Sequence, residues 1–230
     1  MRETRTPFTF LLVAALLVTV ALPAWADTQQ YVVVYGEFKP ANSKAGSNVL
    51  DDLATQALAS GAVRFDVLQQ IDRPNFFALF EIWSSQQAYV AFLTSSATQA
   101  IFVQLTALLQ APLDERDGNF IAGSVTPRDS HAAARQIFVI THVDVIPTFL
   151  AQAEPLLLQF VADSAGDPGV QTFAMLSWDG ITNHFQLIEV FANQQAFDSH
   201  VSAQHTVNFR NSLQPFIGAP FDERLYQFGS

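Results

Sequence analysis

Apolar positions along this chain alternate, then recur at helical spacing, then alternate again, and the whole cycle runs twice. Tyr31 to Phe38 is rich in β-branched and aromatic residues and reads as a strand; its counterpart is Gln136 to Val145. Asn48 to Ser60 carries Val49, Leu50, Leu53 and Ala57 at helical spacing and stops at Gly61. The matching helix runs from Pro147 to Asp163, with Pro147 suited to a first helical position. Pro155 lies inside that stretch and should bend it, because it removes a backbone donor. Strand pairs follow: Val63 to Ile71 with Phe76 to Trp83, and Val170 to Trp178 with His184 to Phe191, the latter turning at Asp179-Gly180. Helical regions then span Gln86 to Leu109, interrupted by Thr94-Ser95-Ser96, and Gln194 to Ile217. Last strands cover Leu113 to Ile121 and Phe221 to Phe228. Each cycle is β-α-β-β-α-β, a ferredoxin-like pattern.

The two cycles are copies. Phe77-Ala78-Leu79-Phe80-Glu81-Ile82-Trp83 recurs as Phe185-Gln186-Leu187-Ile188-Glu189-Val190-Phe191. Ala111-Pro112-Leu113-Asp114-Glu115-Arg116 recurs as Ala219-Pro220-Phe221-Asp222-Glu223-Arg224. Gly61, Phe65 and Leu68 match Gly169, Phe173 and Leu176, and the offset holds at about 108 residues (189 minus 81). The expected division is repeat one over 27–123, a linker over 124–135 that is polar from Thr126 onward, and repeat two over 136–230.

Strand Phe76 to Trp83 is apolar on both sides: Phe77, Leu79 and Trp83 point one way and Phe76, Phe80 and Ile82 the other. A strand apolar on both faces must be covered on both. Helices cover one face. The other is best covered by the sheet of the second repeat, which makes the fold class α+β, two ferredoxin-like units packed sheet to sheet within one chain.

Residues 1–26 have a different character. Arg2 and Arg5 precede an apolar run from Phe8 to Leu22, then Pro23 and Ala24-Trp25-Ala26. This is the layout of a secretory signal peptide cut after Ala26, and the expected location is periplasmic or secreted. The alternative is an uncleaved membrane anchor. The whole chain carries 11 basic and 21 acidic residues, a net charge of −10. That balance argues against nucleic acid as a partner and, once the leader is removed, against anionic membranes. With no cysteine in the chain, thiol catalysis, thiolate metal sites and disulfides are excluded.

At the block after strand three of repeat two a resemblance emerges. Glu189-Val190-Phe191, Gln195-Ala196-Phe197-Asp198-Ser199-His200, Phe209, Leu213, Pro215-Phe216 and Pro220, with Asp167-Pro168-Gly169 upstream, resemble the antibiotic biosynthesis monooxygenase (ABM) family. Repeat one keeps Glu81, Trp83 and Ala88 but has Phe92 where His200 stands. Family members are usually homodimers of one such unit, so the chain resembles a dimer fused into one polypeptide. The resemblance implies a dimeric α+β barrel with an apolar pocket between each sheet and its helices. It also implies oxidation of aromatic or quinol compounds by oxygen without a cofactor. Haem-cleaving relatives use an asparagine on strand one; neither Tyr31 to Phe38 nor Gln136 to Val145 has one.

Cofactor-free oxygenation needs a base, donors for the resulting anion, and a dry pocket. His200 is the candidate base, since it titrates near neutrality and sits at the family histidine; otherwise it is a structural helix histidine. Glu81 and Glu189 are carboxylates in apolar strands, where burial would raise their pKa and make them catalytic acids or bases, or else structural partners. Trp83 and Phe191 are candidates to line the substrate pocket, Asn183 to orient an oxyanion, and His205 to assist, although its spacing from His200 places it toward solvent on another face of the same helix. No metal is expected, because no histidine pair has i, i+4 spacing. The Asp-Glu-Arg repeats read as interface ion pairs. The expected partners are a small apolar or aromatic molecule and molecular oxygen, with further self-association of the fused dimer left open. Two functions stand: a cofactor-independent monooxygenase with no cofactor bound, or a duplicated barrel that only binds a small ligand.

Overall fold

A computed structural model describes residues 29–126 and 135–229. The expected signal peptide and most of the expected linker lie outside these residues. Repeat one runs β1 (Gln30–Glu37), α1 (Ser43–Ala59), β2 (Ala62–Gln70), β3 (Phe76–Trp83), α2 (Gln86–Thr94), α3 (Ser96–Leu108) and β4 (Asp114–Ser124). Repeat two runs β5 (Ile137–Asp144), α4 (Leu150–Ser164), β6 (Val170–Trp178), β7 (Ile181–Phe191), α5 (Gln194–Ser202), α6 (Gln204–Leu213) and β8 (Asp222–Phe228).

The strands close into one antiparallel barrel in the order β1-β3-β2-β8-β5-β7-β6-β4. Closure comes from the last strands, each of which bridges the two repeats. β8 stays paired with β5 of its own repeat and on its other edge pairs with β2, setting Leu68 opposite Phe228. β4 stays paired with β1 and likewise pairs with β6, setting Gly118 opposite Trp178. The two sheets therefore face each other and also share edges, which removes the unpaired strand edges that each unit alone would expose.

Side-chain alternation sorts the core into layers. Ala78, Phe80 and Ile82 of β3 meet Ile188 and Val190 of β7 inside the barrel, with Tyr31, Val33, Phe138, Ile140 and Tyr226. The opposite parity of β3, Phe77, Leu79 and Trp83, packs under α1 to α3. In repeat two Phe185, Leu187 and Phe173 pack under α4 and α6, and Phe191 meets Phe197 of α5. Each large side chain so buried contributes roughly 1.5–3 kcal/mol. Glu81 and Glu189 share the parity of Phe77 and Phe185, so both carboxylates point under the helices.

Two local outcomes differ from the sequence expectation, while α4 carries Pro155 inside one helix. α1 begins at Ser43, after a 3-10 turn over Pro40–Asn42, and not at Asn48. Its first turns are mostly polar, so apolar spacing reveals the helix only from Val49. The region from Gln194 breaks at Ala203, whose extended backbone (φ −62°, ψ 144°) separates α5 from α6. Ser95 breaks repeat one at the corresponding place and caps α3 by accepting from the Thr98 N–H. Among the described residues no single helix is long and apolar enough to cross a membrane; α2 and α3 reach that length only together, across a 67° bend.

Candidate functional site

The site grows from a tight loop. α4 ends at Ser164, and the chain turns through Asp167-Pro168-Gly169 into β6. The Asp167 N–H donates to the Ser164 carbonyl at 3.1 Å, and the Val170 N–H donates to the Asp167 carbonyl at 3.1 Å. Gly169 has φ +85°, and a Cβ there would lie 2.6 Å from the Ala196 Cβ on α5. Glycine is needed on both counts. Its carbonyl then accepts from the Ala192 N–H at 2.8 Å, which ties the loop to the start of α5. Asn193 caps α5 by accepting from the Ala196 N–H at 3.0 Å. The helix is thus fixed at its start, and it delivers His200 in its last turn.

His200 is buried, 2% exposed, among the rings of Phe160, Phe173 and Phe191 at centroid distances of 5.7, 5.4 and 5.1 Å. Its Nδ1 lies 2.8 Å from Asp167 Oδ2. A carboxylate only accepts, so Nδ1 carries the proton and Nε2 keeps its lone pair. Nε2 looks toward Glu189, whose Oε2 is 3.9 Å away. The Thr141 hydroxyl donates to Glu189 Oε1 at 3.3 Å. Behind them, Arg210 of α6 pairs with Glu223 of β8 at 2.5 Å.

Burial decides the charges. Desolvation pushes the Glu189 carboxyl up to about 8, with Glu223 raising it further and Thr141 and Arg210 opposing. At neutral pH it is a neutral acid. Desolvation also lowers the His200 pKa, against the raising effect of Asp167. A neutral imidazole therefore presents a lone pair to a protonated carboxyl in an apolar niche. Phe160, Leu187, Phe197, Val201, Phe209 and Phe221 complete the walls. The free space beside these groups is only about 10 Å³, room for about one water, so an aromatic ligand enters only if α5 and α6 part from the sheet.

His205 joins the same cluster. It opens α6, and its Nε2 lies 3.2 Å from Asp167 Oδ2. This corrects the expectation that it faces solvent: the break at Ala203 turns α6 back, so His200 and His205 bring their rings within 5.7 Å. Asp167, His200 and His205 offer ligand atoms that all lie within 4.8 Å of one another. Linear spacing conceals this grouping.

The sequence matches the antibiotic biosynthesis monooxygenase family twice, over residues 30–104 and 136–212. The chain belongs to the ABM family. The fold is similar to that of a candidate monooxygenase from Fusobacterium nucleatum (TM-score 0.77, 13% identity, covering 89% of this chain and 93% of that one). A candidate monooxygenase from Lactobacillus acidophilus is also similar (TM-score 0.72, 11% identity, 88% and 94%). So is an anthrone oxidase-like protein (TM-score 0.65, 10% identity, 88% and 91%). These neighbours share the double-length arrangement. The chain matches no curated protein sequence.

The two ABM units are not equivalent. In the first, Phe92 fills the histidine position and packs tilted against Trp83 at a centroid distance of 4.7 Å. The Trp83 Nε1–H donates to Glu81 Oε2 at 2.8 Å. Burial pushes Glu81 up to about 8 as well, with Glu115 and Asp117 raising it further, but the hydrogen bond that opposes them comes from a tryptophan. Glu81 and Trp83 thus stand on the far side of the barrel and do not join the His200 site. Asn183 does not join it either. Its Nδ2 donates to the Val145 carbonyl at 2.7 Å, tying β7 to the end of β5, as Asn75 does at Phe38. Of the residues expected from sequence, His200, Glu189, Phe191 and His205 come together.

The Asp-Glu-Arg motifs form ion pairs within their own strands, Arg116 with Asp114 at 2.6 Å and Arg224 with Asp222 at 2.5 Å. They reach the other unit by stacking: Arg116 lies over Trp178 and Arg224 over Tyr35, at 4.4 and 5.0 Å. Asp167, Thr141, Arg210 and Glu223 are the site residues that sequence reasoning missed. Asp167 was visible within its Asp-Pro-Gly loop, but its partner lies 33 residues on.

Larger hollows lie elsewhere. One of about 590 Å³ is lined by Tyr31, Arg64, Phe65, Phe120 and Thr126, and one of about 510 Å³ by Leu93, Phe102, Leu109, Leu113 and Glu115. Neither contains a histidine.

Proposed function

We propose that the chain is an exported, cofactor-independent monooxygenase acting on a small aromatic or quinol-type compound, with its working site in the second ABM unit. The observation that carries this reading is the His200–Asp167 pair, which aims a free imidazole lone pair at a protonated Glu189 in a phenylalanine-lined niche. Asp167 holds the tautomer and stabilises the imidazolium that forms on proton uptake. His200 Nε2 takes a proton from an acidic C–H or phenolic O–H of the substrate. The electron-rich anion reduces oxygen and combines with it at carbon to give a peroxide. Glu189 protonates the peroxide, and its O–O bond breaks as the second C–H proton leaves. The balance is CH₂ + O₂ → C=O + H₂O, with both reducing equivalents drawn from the substrate.

The name of the anthrone oxidase-like neighbour guides the choice of substrates. Metal-stripped protein is assayed for oxygen uptake with a panel of quinols and anthrone-like phenols. Uptake with at least one, yielding the carbonyl product, supports the reading. The alternative is a non-catalytic barrel that holds a small apolar ligand, favoured by the 510 Å³ hollow in the first unit. Tight binding of a panel member without oxygen uptake decides for that alternative.

A further inference from the structure

We propose that Asp167, His200 and His205 form a binding site for one divalent transition-metal ion of the imidazole-preferring kind, such as zinc or cobalt(II). Three elements converge on it: the loop after α4 supplies Asp167 Oδ2, the end of α5 supplies His200 Nδ1, and the start of α6 supplies His205 Nε2. The two histidine nitrogens lie 2.8 and 3.2 Å from the same carboxylate oxygen. Metal–ligand bonds of about 2.0–2.1 Å set neighbouring ligand atoms roughly 2.9–3.4 Å apart, so both edges already have the length that a shared ion requires. His205 adds an independent observation. Its Nε2 is buried and makes no hydrogen bond, so its contact with Asp167 is not a donor–acceptor pair. Such a buried atom left over needs a partner, and an ion seated between the three groups provides one.

The surroundings suit a cation. Behind His200, Glu189 stands 3.9 Å from Nε2 and can receive an Nε2–H once Nδ1 is committed to metal, the usual outer partner of a ligating histidine. His205 and Asp167 are 23% and 18% exposed, so an ion has a path from solvent and a position open to water. The net charge of −10 draws cations to the surface. Two imidazoles and one carboxylate select first-row divalent ions over magnesium or calcium.

This site stands on geometry alone and does not rest on the monooxygenase reading. The two uses of His200 are mutually exclusive, because Asp167 cannot hold the Nδ1 proton while Nδ1 binds a metal. A bound ion would therefore silence the base.

The test is calorimetric titration of chelator-treated full-length protein with zinc chloride, paired with cobalt(II) absorption in the visible. The expected result is one ion per chain. His205→Ala and Asp167→Ala should each weaken binding at least tenfold. His184→Ala, which removes a surface histidine beside Asp144, should leave it unchanged. Zinc should also shift the imidazole resonances of His200 and His205 in the wild-type protein, which keeps the test valid if a variant misfolds. No binding by wild-type protein, binding unaffected by His205→Ala in a folded variant, or zinc-induced shifts confined to other histidines would overturn the proposal. Oxygen uptake is not among these readouts, so each idea can fail alone.

Discussion

Glu81 and Glu189 occupy one position in two copies, yet they lead separate lives. Both are buried and both titrate near 8, but only Glu189 faces a histidine. Glu81 therefore gives a clean measure of what burial costs. Its folded pKa lies well above the unfolded value of about 4.5. Below pH 4.5 both states are protonated and the group favours neither. As pH rises from there toward 8, the unfolded state releases its proton first, so stability falls through that window. Glu81→Gln keeps an acceptor for the Trp83 Nε1–H and removes the titration. The variant should melt several degrees higher than wild type at pH 9 and match it near pH 4.5. Calorimetry across pH 4.5–9 checks this; a slope no different from wild type would show that Glu81 is ionised in the fold. At this scale the sequence was legible where residue type alone decides. A carboxylate in an apolar strand and a histidine in a helix both stand out. Asp167 did not, because its role is set by a partner on another element.

Elements were more legible than side chains, because hydrophobic period is local. β1 to β8 lie where alternation places them, and the paired glycines Gly61 and Gly169, with φ +102° and +85°, stand immediately before the matched strands β2 and β6. The breaks at Ser95 and Ala203 were only half visible. Three consecutive polar residues flag the first, whereas the Ser202-Ala203 junction carries no such signal, and missing it pointed His205 the wrong way. Gly169 is where an element's geometry can be tested. Gly169→Ala meets both a positive φ and the Ala196 Cβ, whereas Gly180→Ala meets only a positive φ of +74° with nothing within 4 Å. The latter should cost about 1–2 kcal/mol. Gly169→Ala should cost more, on the order of 3 kcal/mol, as backbone strain and overpacking add. Urea denaturation of the two variants compares them directly. Equal costs would mean that the loop moves freely and does not fix Asp167.

The barrel as a whole binds the two ABM units by a shared interior and by β4 and β8, each paired on one edge with its own unit and on the other with its neighbour. Duplication was plain in the sequence from two aligned blocks and three matched single positions in one register, and the double-sided apolar strand β3 announced that the sheets face each other. That the last strands bridge the units was not readable from periodicity; only the resemblance to dimeric relatives suggested a barrel. Residues 29–126 and 135–229 expressed separately should each aggregate or dimerise, because each exposes Phe80 or Phe138 and unpaired edges. Size-exclusion chromatography that finds a stable soluble monomer of either half would contradict that. Fusion also lets the halves diverge. One keeps a closed Glu81–Trp83–Phe92 core, and the other has His200, Asp167 and Glu189. The central claim is that the second half alone works, and the most direct measurement is oxygen uptake with an accepted quinol or phenol for three metal-stripped proteins: wild type, His200→Phe and Glu81→Gln. His200→Phe copies the first unit and should lose about 10²–10⁴ in rate with little change in melting temperature, as removal of a positioned general base does. Glu81→Gln should keep the wild-type rate. Full activity in His200→Phe, or loss of activity in Glu81→Gln with the fold intact, would contradict the assignment of catalysis to the second unit.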